Sequence, residues 1–150
     1  MELIGLDFDN TLVRYDKLFH QLAVEKGLIS PSIECCKTTI RDHLRKHKKD
    51  HEFTLLQAEV YGEQIKQAEP AEGMIDALIN AKRNSKKFVI VSHKTKYPYK
   101  GPKYNLRASA IKWLHKYGFL DEEGIGLSME DIYFEDTKEE KAARIESLRC

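Results

Sequence analysis

The sequence predicts an α/β fold, in which helices flank a parallel sheet and a helical segment follows the first strand. Two short apolar runs, Leu3–Leu6 and Phe88–Val91, are typical of strands buried in parallel sheets. Between residues 17 and 69 the pattern is helical, with no strand-like alternation, which favours an all-helical insertion. A chain of 150 residues can form one domain with a substantial core and a small insertion.

The insertion is predicted to hold three helices. The first carries an apolar stripe from Leu18 to Ala23 and stops near Gly27. Ser30 and Pro31 resemble an N-cap and a first helical residue, so a second helix is predicted from there through Leu44. A third apolar stripe, from Phe53 to Ile65, predicts a helix that ends before Pro70.

The remainder of the chain alternates between helices and strands. Helices are predicted over Glu72–Ala81 and Leu106–Tyr117, and a short strand over Ile132–Phe134. Thr137 and Glu140 have the spacing of a capping box, which opens a last helix from Lys138 to about Leu148. Such alternation implies a parallel sheet with right-handed crossovers, whose ligands gather at the carboxyl ends of the strands.

Composition excludes several classes of protein. The 25 basic residues balance 24 acidic ones, so the net charge argues against nucleic acid as the main partner. No apolar run approaches the roughly 20 residues that span a bilayer, and the N-terminus lacks the basic region of a signal peptide. Three cysteines form no disulfide framework. We therefore expect a cytoplasmic protein with no membrane partner.

Two acids follow the first strand, in the sequence Asp7-Phe8-Asp9-Asn10-Thr11. Carboxylates beside an apolar core cost free energy unless they are paired, hydrogen-bonded or bound to a metal. A single aspartate here would be read as a turn or a helix cap. Both acids, the apolar strand and the threonine occur together, which favours a functional site.

This stretch resembles the first signature of the haloacid dehalogenase (HAD) superfamily, in its phosphatase branch. The resemblance implies a Rossmann-like core of residues 1–16 and 70–150, with residues 17–69 as a helical cap. It also implies that Asp7 is the nucleophile, forming an aspartyl-phosphate, that Asp9 is the general acid and base, and that Thr11 shapes the site. Carboxylates can perform both tasks, and Mg²⁺ at Asp7 and Asp9 would offset the charge of the substrate.

Two further signatures of the superfamily have counterparts. Ser92, after the strand Phe88–Val91, resembles the hydroxyl residue that hydrogen-bonds the transferring phosphoryl group. Lys141 resembles the lysine that neutralises the nucleophile and the phosphate. Lys138 and Lys94 are the alternatives for that role.

The last acidic signature of the superfamily is where the chain departs from the pattern. In one interpretation the strand that carries those acids is missing, so the metal lacks a ligand. In the other, Glu135 and Asp136 supply it after the strand Ile132–Phe134. The first interpretation is preferred, since the acids of the superfamily come one strand later.

The loop from Lys94 to Tyr104 alternates cations with aromatic rings, a composition that can hold phosphates and stack on bases or sugars. It follows Ser92 directly, so it should lie over the same strand ends. Lys94, Lys96 and Lys100 are therefore predicted to bind an anionic substrate. A solvated loop packed by its own prolines and tyrosines is the alternative.

The leading hypothesis is an Mg²⁺-dependent phosphohydrolase, which acts on a small phosphorylated metabolite. The first alternative is a catalytically impaired domain that binds a phospholigand or a protein partner, motivated by the missing acids. The second alternative, less favoured, is a nucleic-acid end phosphatase, suggested by the basic helix of the cap and by the loop of lysines and tyrosines. A sheet that lacks a strand would also expose an edge through which the chain could form an oligomer.

Overall fold

The computed structural model describes residues 1–150 and has a mixed α/β architecture. Its main sheet has three parallel strands, β1 (Leu3–Leu6), β4 (Lys87–His93) and β5 (Ile132–Glu135), in the order β1-β4-β5. The two shorter strands, β2 (Val13–Arg14) and β3 (Glu69–Pro70), form a separate two-stranded sheet. The predicted parallel sheet is confirmed.

Strand β4 lies between β1 and β5 and is the most deeply buried of the three strands. Five consecutive residues, from Phe88 to Ser92, are buried. Helices α4 (Met74–Arg83), α5 (Leu106–Lys116) and α6 (Lys138–Leu148) follow the strands in alternation. No helix is both long and apolar enough to cross a bilayer.

The segment after β1 is helical, as predicted, and contains α1 (Asp16–Glu25), α2 (Lys37–Lys46) and α3 (Asp50–Tyr61). A single 3-10 turn, Ile65–Gln67, follows α3. The predicted start of the second helix is wrong, since α2 begins at Lys37 and not at Pro31. Asp16, on α1, accepts a hydrogen bond from the Lys37 backbone N–H at 2.9 Å and fixes the start of α2 there.

A two-stranded ladder that the sequence did not predict joins the two ends of the helical segment. Strand β2 (Val13–Arg14) pairs in antiparallel fashion with β3 (Glu69–Pro70). The backbone N–H of Ala71 also donates to the carbonyl of Leu12 at 2.9 Å. The segment that contains the three helices therefore begins and ends at this ladder.

One hydrophobic core underlies both the sheet and the inserted helices, with 25 buried residues in a single cluster. Trp113 is 1% exposed and lies at its centre, where its Nε1–H donates to the Ala68 carbonyl at 2.9 Å. Its ring meets that of Phe8 edge-on at 5.6 Å. Phe8 lies between the two acids in the sequence, so its packing in the core fixes the backbone that carries Asp7 and Asp9.

Candidate active site

The carboxyl ends of β1 and β4 meet at one edge of the sheet. Leu6 lies opposite Ile90 in the parallel register, so Asp7 leaves β1 close to the point where Ser92 ends the buried part of β4. Ser92 is 1% exposed. The predicted juxtaposition of acid and hydroxyl therefore follows from the register of two apolar strands.

A cavity of about 490 Å³ opens at this edge. It brings together four of the predicted site residues, Asp7, Asp9, Ser92 and Lys141, and the remainder of its wall comprises His93, Lys138, Ala142 and Ile145. Six of its eight lining residues are polar or charged. Such a wall suits a small, hydrophilic ligand.

Helix α6 brings a cation to Asp7. Its start is fixed by the predicted capping box, in which the Thr137 hydroxyl accepts the Glu140 N–H at 3.0 Å and the Glu140 carboxylate accepts the Thr137 N–H. One residue later, Lys141 Nζ lies 3.0 Å from Asp7 Oδ2. Asp7 also accepts the Phe8 backbone N–H at 2.9 Å, so both carboxylate oxygens have a partner.

Asp9 has two side-chain partners, and both are far less exposed than Lys141, the side-chain partner of Asp7. Lys94 Nζ lies 3.2 Å from Asp9 Oδ1, and the Lys94 side chain is only 3% exposed. The hydroxyl of Tyr15, a residue with no exposed surface, donates to the same oxygen. Burial, and secondly the charge of Asp9, raise the pKa of Tyr15 well above its ordinary value of 10.0, so Tyr15 remains a donor.

Aromatic side chains connect this pair to the inserted helices. The Lys94 ammonium lies 5.4 Å from the ring centroid of Phe8 and 5.2 Å from that of Tyr61, on α3. Tyr61 meets Tyr15 edge-on at 4.8 Å and accepts a hydrogen bond from Lys37, on α2. Both partners of Asp9 thus contact a residue of the insertion. The sequence predicts neither Tyr15 nor Tyr61 as part of the site, because both reach it only through tertiary contacts.

Other predicted site residues do not line the cavity. Thr11 is exposed in the turn after the acids. The ammonium groups of Lys96 and Lys100 lie over the rings of Tyr97 and Tyr99 in the loop, at 5.4 and 5.9 Å from their centroids. None of these three residues lines the cavity, so the roles of Thr11 in shaping the site and of the two lysines in binding substrate stay predictions.

Asp136 lies on the opposite side of the sheet's central strand from the acid pair. Strand β5 lies on the far side of β4 from β1. Asp136 pairs with Arg107 at 2.7 Å, and Glu135 pairs with Arg144 at 2.8 Å. The interpretation in which Glu135 and Asp136 complete the acid site therefore finds no support in the strand order.

The donor set for a metal consists of two carboxylates. Asp7 and Asp9 line the cavity, and no cluster of three or more histidine, cysteine, aspartate or glutamate side chains has the geometry of a metal site. Mg²⁺ in phosphoryl-transfer sites uses one or two carboxylates and takes its other ligands from water and substrate phosphate. The two aspartates fit that kind of open site and do not form a closed cage.

Comparison with protein-family models, with curated proteins and with solved structures found no match to this chain.

Proposed function

We propose that the protein is an Mg²⁺-dependent phosphohydrolase that acts on a small phosphorylated metabolite, with a HAD-like, Rossmann-like core. The observation that carries the proposal is the cavity at the sheet edge, where two aspartates, a buried serine and a lysine converge. These are the residue types that covalent phosphoryl transfer requires: a nucleophile, a proton-transfer group, a hydrogen-bond donor and a cation.

In the proposed reaction, a carboxylate oxygen of Asp7 attacks phosphorus, and the bond from phosphorus to the ester oxygen breaks. Asp9, in its protonated form, gives its proton to the departing oxygen. Water then attacks the phosphorus of the aspartyl-phosphate, Asp9 accepts a proton from it, and inorganic phosphate leaves with Asp7 regenerated. Ser92 and Lys141 hold the phosphoryl oxygens. Asp7 would hold Mg²⁺, and Asp9 would add its carboxylate once it has given up its proton; the metal would offset the negative charge of the phosphoryl oxygens.

The test replaces the nucleophile without changing its size. Asp7→Asn should abolish Mg²⁺-dependent hydrolysis of p-nitrophenyl phosphate, because an amide oxygen is a poor nucleophile toward phosphorus. Asp76→Asn, on the exposed surface of α4, is the matched control and should retain wild-type turnover. Full activity of the Asp7→Asn variant would rule out the covalent route.

A second candidate is a catalytically impaired domain that binds a phospholigand. It is favoured by the donor set, which offers two carboxylates and no third metal ligand. If it is correct, millimolar Mg²⁺ supports no hydrolysis and leaves the melting temperature unchanged.

A further inference from the structure

We propose that the cavity binds a phosphate dianion in the absence of any divalent metal, because lysines of the chain itself balance both aspartates. The inference rests on the phosphate-binding cavity of the proposed function. It goes beyond that function in one respect: the metal is needed for hydrolysis of the ester but not for binding of phosphate.

The first carboxylate is balanced at the rim of the cavity. Lys141 Nζ lies 3.0 Å from Asp7 Oδ2, and the two side chains are 24% and 44% exposed. Opposite charges at this distance attract even near a protein surface. A phosphate that approaches Asp7 therefore meets an ion pair and not an isolated negative charge.

The charge of the second carboxylate, that of Asp9, is balanced by a lysine buried in the protein interior. Lys94 reaches Asp9 from the protein interior, and its ammonium is enclosed by the rings of Phe8 and Tyr61. A buried ammonium needs a charged partner, and Asp9 is the only one within ion-pair distance of Lys94. At 3% exposure Lys94 has little room to turn toward solvent. The Lys94–Asp9 pair is thus fixed at the cavity, with Asp9 in the cavity wall and Lys94 buried behind it.

A further lysine gives the site a net positive charge, which favours the binding of anions. Lys138 lines the cavity and takes part in none of the ion pairs of the structure. Three lysines therefore face or support the cavity against two aspartates. A dianion gains more from this arrangement than it loses to the paired carboxylates.

The direct test is titration calorimetry of the full chain with inorganic phosphate in EDTA, at a mildly alkaline pH where phosphate is a dianion. Saturable binding is expected. Binding that occurs only after Mg²⁺ is added would overturn the inference.

Charge variants test the mechanism of binding. Lys94→Met leaves Asp9 uncompensated and should weaken phosphate binding in EDTA by about tenfold or more. Adding Asp9→Asn to Lys94→Met removes the negative charge that has lost its counter-ion. The double variant should therefore bind phosphate to within about threefold of the wild-type affinity. A double variant as weak as Lys94→Met would mean that Lys94 acts only through packing, and would overturn the inference.

A parallel pair of variants covers the case in which Lys94→Met does not fold. Lys141 lies on the partly exposed face of α6, so Lys141→Met should keep its melting temperature and weaken phosphate binding by a similar factor. Adding Asp7→Asn to Lys141→Met removes the negative charge that Lys141 balances, and should recover part of the lost affinity for phosphate, because the direct contact of Lys141 with phosphate is still missing. Unchanged affinity of Lys141→Met would contradict the inference.

The same preparations separate this inference from the proposed function. Phosphate binding in EDTA with no turnover of p-nitrophenyl phosphate in Mg²⁺ would support the inference and contradict the hydrolase. Turnover in Mg²⁺ with no phosphate binding in EDTA would support the hydrolase and overturn the inference.

Discussion

Replacing Tyr15 with phenylalanine removes one hydroxyl from the support of Asp9 and changes little else. That hydroxyl is fully buried and donates to the Asp9 carboxylate. Hydrogen bonds to charged acceptors contribute about 1.5–3 kcal/mol to stability. We therefore expect Tyr15→Phe to lower the free energy of unfolding by about 2 kcal/mol at neutral pH.

The effect of Tyr15→Phe on the free energy of unfolding should also depend on pH above pH 10.0. In the unfolded chain Tyr15 ionises near its ordinary pKa of 10.0, whereas burial and Asp9 raise its folded pKa well above that value. Its contribution to stability is therefore fully present below pH 10.0 and is lost as the pH rises toward the folded pKa. The loss amounts to about 1.4 kcal/mol per pH unit for the one proton involved. Phenylalanine has no such proton.

The assay is urea unfolding of wild type and variant at a series of pH values on both sides of pH 10.0. The difference in unfolding free energy should be constant below that pH and shrink above it. Tyr99→Phe is the matched control, since Tyr99 is 91% exposed, and it should change stability by less than about 0.5 kcal/mol at every pH. A Tyr15→Phe difference that is negligible, or that does not depend on pH, would refute the reasoning.

Three other variants test separate parts of the structure. Replacing Lys96 and Lys100 with alanine should raise KM severalfold for an anionic substrate and leave kcat nearly unchanged; an unaltered KM would refute a binding role. Thr137→Ala removes the cap of α6 and should cost about 1 kcal/mol in urea unfolding, and a neutral effect would contradict its importance. Trp113→Phe loses a buried hydrogen bond to Ala68 and should cost about 2 kcal/mol or more by the same assay, so a cost below about 0.5 kcal/mol would contradict its central place in the core.

Much of the site could be predicted because its determinants are local. Apolar runs before Asp7 and Ser92 indicate parallel strands, and parallel strands end at one edge of the sheet. Thr137 and Glu140 mark the start of α6, which places Lys141 one residue later. Each signal lies within a few residues of the side chain that it positions.

Contacts between distant residues left no such signal. Lys94 is predicted to bind substrate from a loop over the strand ends, or else to serve as the neutralising lysine. The sequence does not predict that its side chain is buried against Asp9, 85 residues away. The start of α2 depends on Asp16, which lies 21 residues before Lys37. The strands β2 and β3 have two residues each, too few for any periodicity. These features follow from tertiary packing, which overrides local preference.

The most direct test of the central proposal, phosphoryl transfer through Asp7, is to trap the covalent intermediate. The wild-type chain would be acid-quenched during turnover of p-nitrophenyl phosphate with Mg²⁺ and examined by intact-mass and peptide mass spectrometry. We predict the added mass of one phosphoryl group on the peptide that contains Asp7, and its absence from the Asp7→Asn variant. A phosphoryl group on another residue, or turnover by the Asp7→Asn variant at the wild-type rate, would contradict the proposal.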